Sequence, residues 1–195
     1  MAAKRILLII LTAALIAFTG CSLSGSSGDK TPDSVKSARN SAMKAAQDTA
    51  HELEGEWVDR ITNLENYAQN ADAKDTAEYK SLADDLKDYA KDCKADRLYI
   101  MAVNDDEYLL IVDSDNQGSS WHEKENVDAQ AADKAYSDGL ISAEHTGWKA
   151  DDKYYWTAYA PLYNQNNEIT YVLGADISNK KLADYPDWIS EKGGE

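Results

Sequence analysis

The sequence predicts an α+β domain, an antiparallel sheet with helices packed on it. Three observations carry this. Between Val35 and Cys93, apolar residues recur at three- and four-residue spacing, the period of helices. Beyond Leu98 come runs rich in Tyr, Ile, Val and Leu, the composition of strands. Two gaps between those runs, Asn104-Asp105-Asp106 and Asn164-Gln165-Asn166-Asn167, have turn chemistry and join their neighbours as hairpins.

Taken in order, the chain opens with Lys4-Arg5, an apolar run from Ile6 to Phe18, and Thr19-Gly20-Cys21. That is a basic segment, a short hydrophobic segment and a small-residue cleavage site. The run is about 13 residues, short of the ~20 that span a bilayer. The cysteine after small residues resembles the lipobox of bacterial lipoproteins, with Phe18 where leucine is usual. The resemblance implies cleavage before Cys21 and a diacylglycerol on its thiol. Residues 1–20 are thus a signal peptide, and 21–32 a Ser/Gly linker. Residues 33–185 form one domain, and 186–195 a tail.

A long helix is expected from Pro32-Asp33-Ser34, where proline suits the first turn and Asp or Ser the cap. Its stripe is Val35, Ala38, Ala42, Ala45, Leu53, Trp57, Ile61, Leu64 and Ala68. The bulky second half is expected on the core, and the alanine-rich first half projecting towards the membrane. Tyr79, Leu82, Leu86, Tyr89 and Cys93 place a second helix over about 76–93. Leu98–Val103 and Tyr108–Val112 read as a hairpin, followed by a polar loop over 114–126. A short helix over 127–136 ends at Asp138-Gly139. Strands are expected at 141–146, 154–163 and 169–177, and a closing short helix at 180–185.

Composition narrows the function. The net charge is −15, and loss of Lys4 and Arg5 with the leader makes it more negative. Such a surface argues against nucleic acid, which needs a basic footprint, and against adhesion to anionic lipid. Membrane contact is therefore expected through the lipid anchor only. Cys93 is the one cysteine left after lipidation, so no internal disulfide forms; its place on an apolar helix face reads as structural. Beyond the leader no apolar stretch approaches membrane-spanning length, and the chain is expected to carry no output domain. His51, His122 and His145 have no metal-ligand spacing. No nucleophile elbow or phosphate loop is present. Neither a cofactor nor catalysis is expected.

Three segments carry a family resemblance. Leu110–Asp115 resembles the strand ending on acidic residues in extracytoplasmic Cache sensor domains. Trp156-Thr-Ala-Tyr-Ala-Pro-Leu-Tyr163 resembles the penultimate strand of that family, and Tyr171-Val-Leu-Gly-Ala-Asp-Ile177 the last. The resemblance covers roughly residues 35–182, in the single-module form. It implies a PAS-like five-stranded antiparallel sheet, with the long N-terminal helix on one face and a ligand pocket on the other. It also implies a sensor role in signal transduction, with any signal passing through a partner.

The last strand supplies the first site residue. Residues alternate between faces. Ile169, Tyr171, Leu173, Ala175 and Ile177 suit the helix side; Thr170, Val172, Gly174 and Asp176 leave room for a guest. In the amino-acid-binding Cache subgroup an aspartate at this position holds the ligand ammonium. Asp176 is thus a ligand holder or, alternatively, a strand-end cap. On the preceding strand Tyr155, Thr157 and Tyr159 share one face, Trp156, Ala158 and Ala160 the other. Either aromatic set lines a pocket or belongs to the core. That subgroup's Arg-x-Trp-Tyr clamp is missing. Arg39, Arg60 and Arg97 are the only arginines after the leader, and Trp121-His122-Glu123-Lys124 fills the corresponding loop. Trp121, His145 and Asp113 complete the candidate ligand-binding set. Asp113–Gly118 begins like a calcium loop, but Lys124 stands where the bidentate glutamate belongs, so the segment reads as a turn.

Two functions follow as expectations. One is a lipid-anchored extracytoplasmic domain binding a small molecule, an amine or an amino acid. The other is an envelope lipoprotein whose Cache-like domain docks a protein partner instead.

Overall fold

The computed structural model describes residues 30–69, 73–124 and 129–190. The leader and Cys21 lie outside them. Helix α1 runs Asp33–Glu52 and α2 Glu56–Ala68, where the sequence suggested one continuous helix. The reason is Gly55: its φ of +73° is a left-handed conformation that glycine adopts without steric cost. Its N–H meets the Tyr163 carbonyl at 3.4 Å. Helix α3, Ala77–Cys93, starts on Thr76, whose Oγ1 accepts from the Tyr79 N–H at 3.1 Å. It ends at Lys94, with φ +62°.

The strands are β1 Arg97–Val103, β2 Glu107–Asp113, β3 Ser120–Glu123, β4 Ser142–Ala143, β5 Gly147–Ala150, β6 Lys153–Tyr163, β7 Ile169–Ser178 and β8 Ile189–Ser190. Helix α4, Ala129–Asp138, lies between β3 and β4. The sheet order is β3-β2-β1-β7-β6-β5-β8, with β4 also on β6. The five central strands β2-β1-β7-β6-β5 are antiparallel throughout and give the PAS-like sheet expected. Three short strands extend it.

Several details differ from the sequence reading. The polar loop after β2 contains β3, paired with β2. The strand expected at 141–146 shrinks to Ser142-Ala143. The next run pairs as β5 because Gly147 lets the backbones touch: a Cβ there would stand 2.6 Å from the Tyr155 carbonyl oxygen. Residues 186–190, read as tail, form a 3₁₀ turn and the strand β8, parallel to β5. The closing segment at Lys180–Asp184 is a 3₁₀ turn, begun by Asn179 accepting from the Lys181 N–H.

The two faces of the sheet carry different layers. Helix α1 lies along β6 and β7, and α3 against β1 and β2. Val35, Ala38, Ala42, Ala45 and Ala46 are all buried there. The expectation that the first half of α1 projects away is thus corrected: its alanines bring the helix close to Ala158, Ala160, Leu173 and Ala175 in one continuous core. Ile61 and Leu64 of α2 are buried as expected, whereas Trp57 is half-buried, edge-on to Tyr89 and beneath Arg60. On the other face α4 sets Ala131, Ala132 and Ala135 against Tyr99, Met101, Tyr108, Leu110, Tyr159 and Val172. Asp133 ties it down, accepting from the Tyr108 hydroxyl at 3.0 Å and from Lys124 Nζ at 2.9 Å.

Candidate functional site

Strand alternation sorts the side chains. On β7, Tyr171, Leu173 and Ala175 enter the core under α1, and Val172 the α4 side. Asp176 therefore emerges on the α4 side, opposite Arg97 of β1 and Thr157 of β6. It is 3% exposed. Thr157 donates to its Oδ1 at 2.6 Å, and Trp148 Nε1 of β5 donates to Thr157 Oγ1 at 2.8 Å. Burial raises the Asp176 carboxyl to about 6, against the pull of Thr157 and Arg97. The fold therefore disfavours its charged form.

A second chain of hydrogen bonds runs beside it. The Tyr99 hydroxyl donates to the Tyr159 hydroxyl at 3.4 Å, and Tyr159 donates to Glu144 Oε1 at 2.9 Å. Burial pushes both phenols well above their ordinary range, so both remain neutral donors. The two rings meet edge to face at 6.4 Å. Tyr99 also lies over Gly174, where a Cβ would be 2.3 Å from its ring. The room that Gly174 leaves on this face is therefore occupied by tyrosine.

Arg97 closes the cluster. Its Nη2 donates to Asp113 Oδ2 at 3.0 Å, and its guanidinium lies 5.2 Å from the Tyr99 ring centre. Burial works against its charge, but Asp113 and then Asp176 outweigh that and hold its pKa raised.

The candidate residues thus divide. Asp176, Tyr159 and Asp113 belong to the α4-side cluster. Tyr155 lies at its margin, half-buried and stacked on Trp148 with ring centres 4.4 Å apart. Trp156 does not join them. It faces the α1 core, 1% exposed, and donates to the Glu144 carbonyl at 3.1 Å. Trp121 pairs with Leu109 at the sheet edge and is 41% exposed. His145 is exposed and lies near the Trp188 ring. Asp113 is an anchor: Oδ1 accepts from the Asp115 and Gln117 N–H groups, and Oδ2 takes Arg97. Its oxygens are engaged, which explains the aborted calcium pattern as a turn. No group of three or more metal-ligating side chains occurs among the described residues.

Sequence reasoning missed Arg97, Tyr99, Glu144 and Trp148. Arg97 and Tyr99 share a strand face with period two, a signal that needed the β1–β7 pairing to become readable. Glu144 and Trp148 lie in a segment whose strands are too short to show a pattern. Elsewhere, a groove of about 650 Å³ runs between the ends of α1 and α3, lined by Asp48, Thr49, Glu52, Tyr89 and Cys93. In it the Thr49 hydroxyl points at the half-buried Cys93 Sγ, 3.8 Å away.

No family model matches the chain, and no curated protein does. Among solved structures it is similar to the sensory domain of the Campylobacter jejuni chemoreceptor Tlp3 (CcmL). That match has 18% identity and a TM-score of 0.37, over 82% of this chain and 65% of the other. The Tlp3 ligand-binding domain in complex with L-valine matches at 18% identity, TM-score 0.39, over 76% and 61%. The RsbU periplasmic domain of Chlamydia trachomatis matches at 14%, TM-score 0.38, over 77% and 55%. This chain spans less than two thirds of the length of each. The Tlp3 matches are a sensory and a ligand-binding domain of that chemoreceptor, and the RsbU match is a periplasmic domain.

Proposed function

We propose that this chain is an extracytoplasmic small-molecule-binding sensor domain, tethered to a membrane by lipid on Cys21, that signals through a protein partner. Asp176 carries the reading. A carboxylate buried among Tyr99, Tyr159 and Thr157, with its charged form disfavoured, gains most from an arriving cationic group. The guest is accordingly an amine-bearing metabolite, with Tyr155 and Trp148 at the margin of its site. The test is a thermal-shift screen of the full chain against amines, amino acids, carboxylates and purines. Amine-bearing compounds should raise the melting temperature, and Asp176→Asn should abolish the rise. A screen with no stabilising amine, or equal shifts in the variant, overturns the reading. Tethering has its own check: Cys21→Ser should lose lipid labelling and retain the leader, and normal processing of that variant refutes the anchor.

Two observations favour a second reading, an envelope interaction protein. The Tyr99 ring already fills the space over Gly174, and Tyr67 and Trp121 stand exposed on other elements. On that reading no metabolite shifts the melting temperature, and an envelope protein is cross-linked instead.

A further inference from the structure

Gly174 of β7 is the direct cross-strand partner of Tyr99 on β1 and of Tyr159 on β6. A glycine inside a strand weakens it and marks a close approach by another group. Here that group is the far end of the Tyr99 side chain. A Cβ at residue 174 would stand 2.3 Å from ring atoms Cε2 and Cζ and 2.8 Å from the hydroxyl oxygen. Side chains of a strand ordinarily stand off the sheet. The Tyr99 ring lies across the β7 backbone instead, buried beneath α4.

The ring is held there loosely. Its hydroxyl reaches Tyr159 at 3.4 Å, long against the ~2.7–2.8 Å usual between hydroxyls. Two other tyrosines of this face are tied more closely, Tyr159 to Glu144 at 2.9 Å and Tyr108 to Asp133 at 3.0 Å. The remaining contacts of Tyr99 are an edge-to-face meeting with Tyr159 and the Arg97 guanidinium over its ring. Another flat ring in the same seat makes both of them equally well. Asp176 lies two residues further along β7 on the same face, roughly 7 Å away. Arg97 and Thr157 flank it on either side. The space beside its carboxylate is therefore the seat over Gly174, and Tyr99 occupies that seat.

We infer that Tyr99 is a built-in competitor of the guest, which binds by displacing the phenol ring from its seat over Gly174. This role rests on the reading of Asp176 as the group that holds an amine. It makes Tyr99 the residue that sets how large a guest enters and how tightly it is held. A guest whose site is open only part of the time binds more weakly by that fraction. Removing the ring removes the penalty and leaves a hole the size of a phenol.

Calorimetry on the full chain tests this with two probes: p-cresol, which is the missing side chain itself, and benzylamine, which carries an ammonium beside its ring. Tyr99→Ala should bind both, and should bind benzylamine at least tenfold tighter than the unsubstituted chain does. Tyr99→Phe keeps the ring and should bind neither probe better than the unsubstituted chain. Where Tyr99→Ala does not fold, Tyr99→Val empties the far end of the seat and is read with benzylamine. If benzylamine binds the unsubstituted chain as tightly as the variant, or p-cresol finds no site in Tyr99→Ala, the ring is a structural cover for Gly174 and no competitor. Adding Asp176→Asn separates the premise. It should abolish the gain for benzylamine and leave the gain for p-cresol. A benzylamine gain that survives Asp176→Asn overturns Asp176 as the amine holder and leaves the seat standing.

Discussion

The two faces of one sheet are held by different physics. Under α1, α2 and α3 the strands present Leu98, Ile100, Leu109, Ile111, Tyr171 and Leu173 to an apolar layer without buried charge pairs. The opposite face of the same strands carries Arg97, Tyr99, Thr157, Tyr159 and Asp176, with Asp113 brought round by the register shift between β1 and β2, and hydrogen bonds join them in pairs. Apolar contacts are non-directional and insensitive to pH. Charge and hydrogen-bond contacts depend on geometry and protonation, and each unmet group is costly. The first face therefore secures the fold, and the second responds to geometry and protonation.

Four measurements break or sharpen this contrast. The largest effect belongs to the apolar face. Ile61→Ala and Leu64→Ala should each cost about 2–5 kcal/mol, read as a lower urea midpoint with an unchanged slope. Losses below about 1 kcal/mol would show that α2 is not part of the core. Trp57, half-buried against Tyr89 and Arg60, should lose less on truncation.

Next comes Arg97→Ala, which strands the wholly buried Asp113 charge. Removing one partner of a buried pair costs about 3–5 kcal/mol; Arg97 is partly exposed, so roughly 2–4 is expected here. Adding Asp113→Asn should recover much of it. An additive double variant would break the assigned pairing.

The third effect has the opposite sign. Burial raises the Asp176 carboxyl from the ordinary 3.8 to about 6. Its contribution to stability is therefore complete below about pH 4 and lost as pH rises through about 6. Asp176→Asn should stabilise the unliganded chain at neutral pH by roughly 1–3 kcal/mol and flatten its profile between those limits. A destabilised variant would mean that the carboxylate is fully compensated within the fold. The smallest effect is expected from Tyr171→Phe. Its hydroxyl bonds Thr62 Oγ1 at 2.9 Å and Glu65 Oε2 at 2.7 Å, and about 1 kcal/mol should be lost.

Much of the helix face was legible in the sequence because burial there follows a simple period. Leu82, Leu86, Ile61 and Leu64 announce themselves by spacing alone. The break at Gly55 was not legible: one glycine in a long apolar stripe reads as tolerated until the Tyr163 carbonyl is known to lie beside it. On the other face Asp176 was readable from alternation along β7. Its neighbours were not, because Arg97 and Tyr99 reach it across a strand pairing between residues more than seventy positions apart. Trp156 shows the same limit from the other side. An aromatic in β6 suits core and pocket equally, and only the register with Ile177 decides.

The alanine stripe of α1 has a consequence for how relatives of this chain can be found. Ala38, Ala42, Ala45, Ala46 and Ala50 are buried against the sheet, and the outward positions between them face solvent. Drift erases identity at the outward positions quickly, while the inward ones admit only side chains of nearly the same volume, since a larger one lifts the whole helix from its seat. Two descendants can then share few letters and still keep one ladder of small residues, in phase with a strand ending Gly-x-Asp. A search scored on side-chain volume at helical period should gather sequences that letter-by-letter comparison leaves apart.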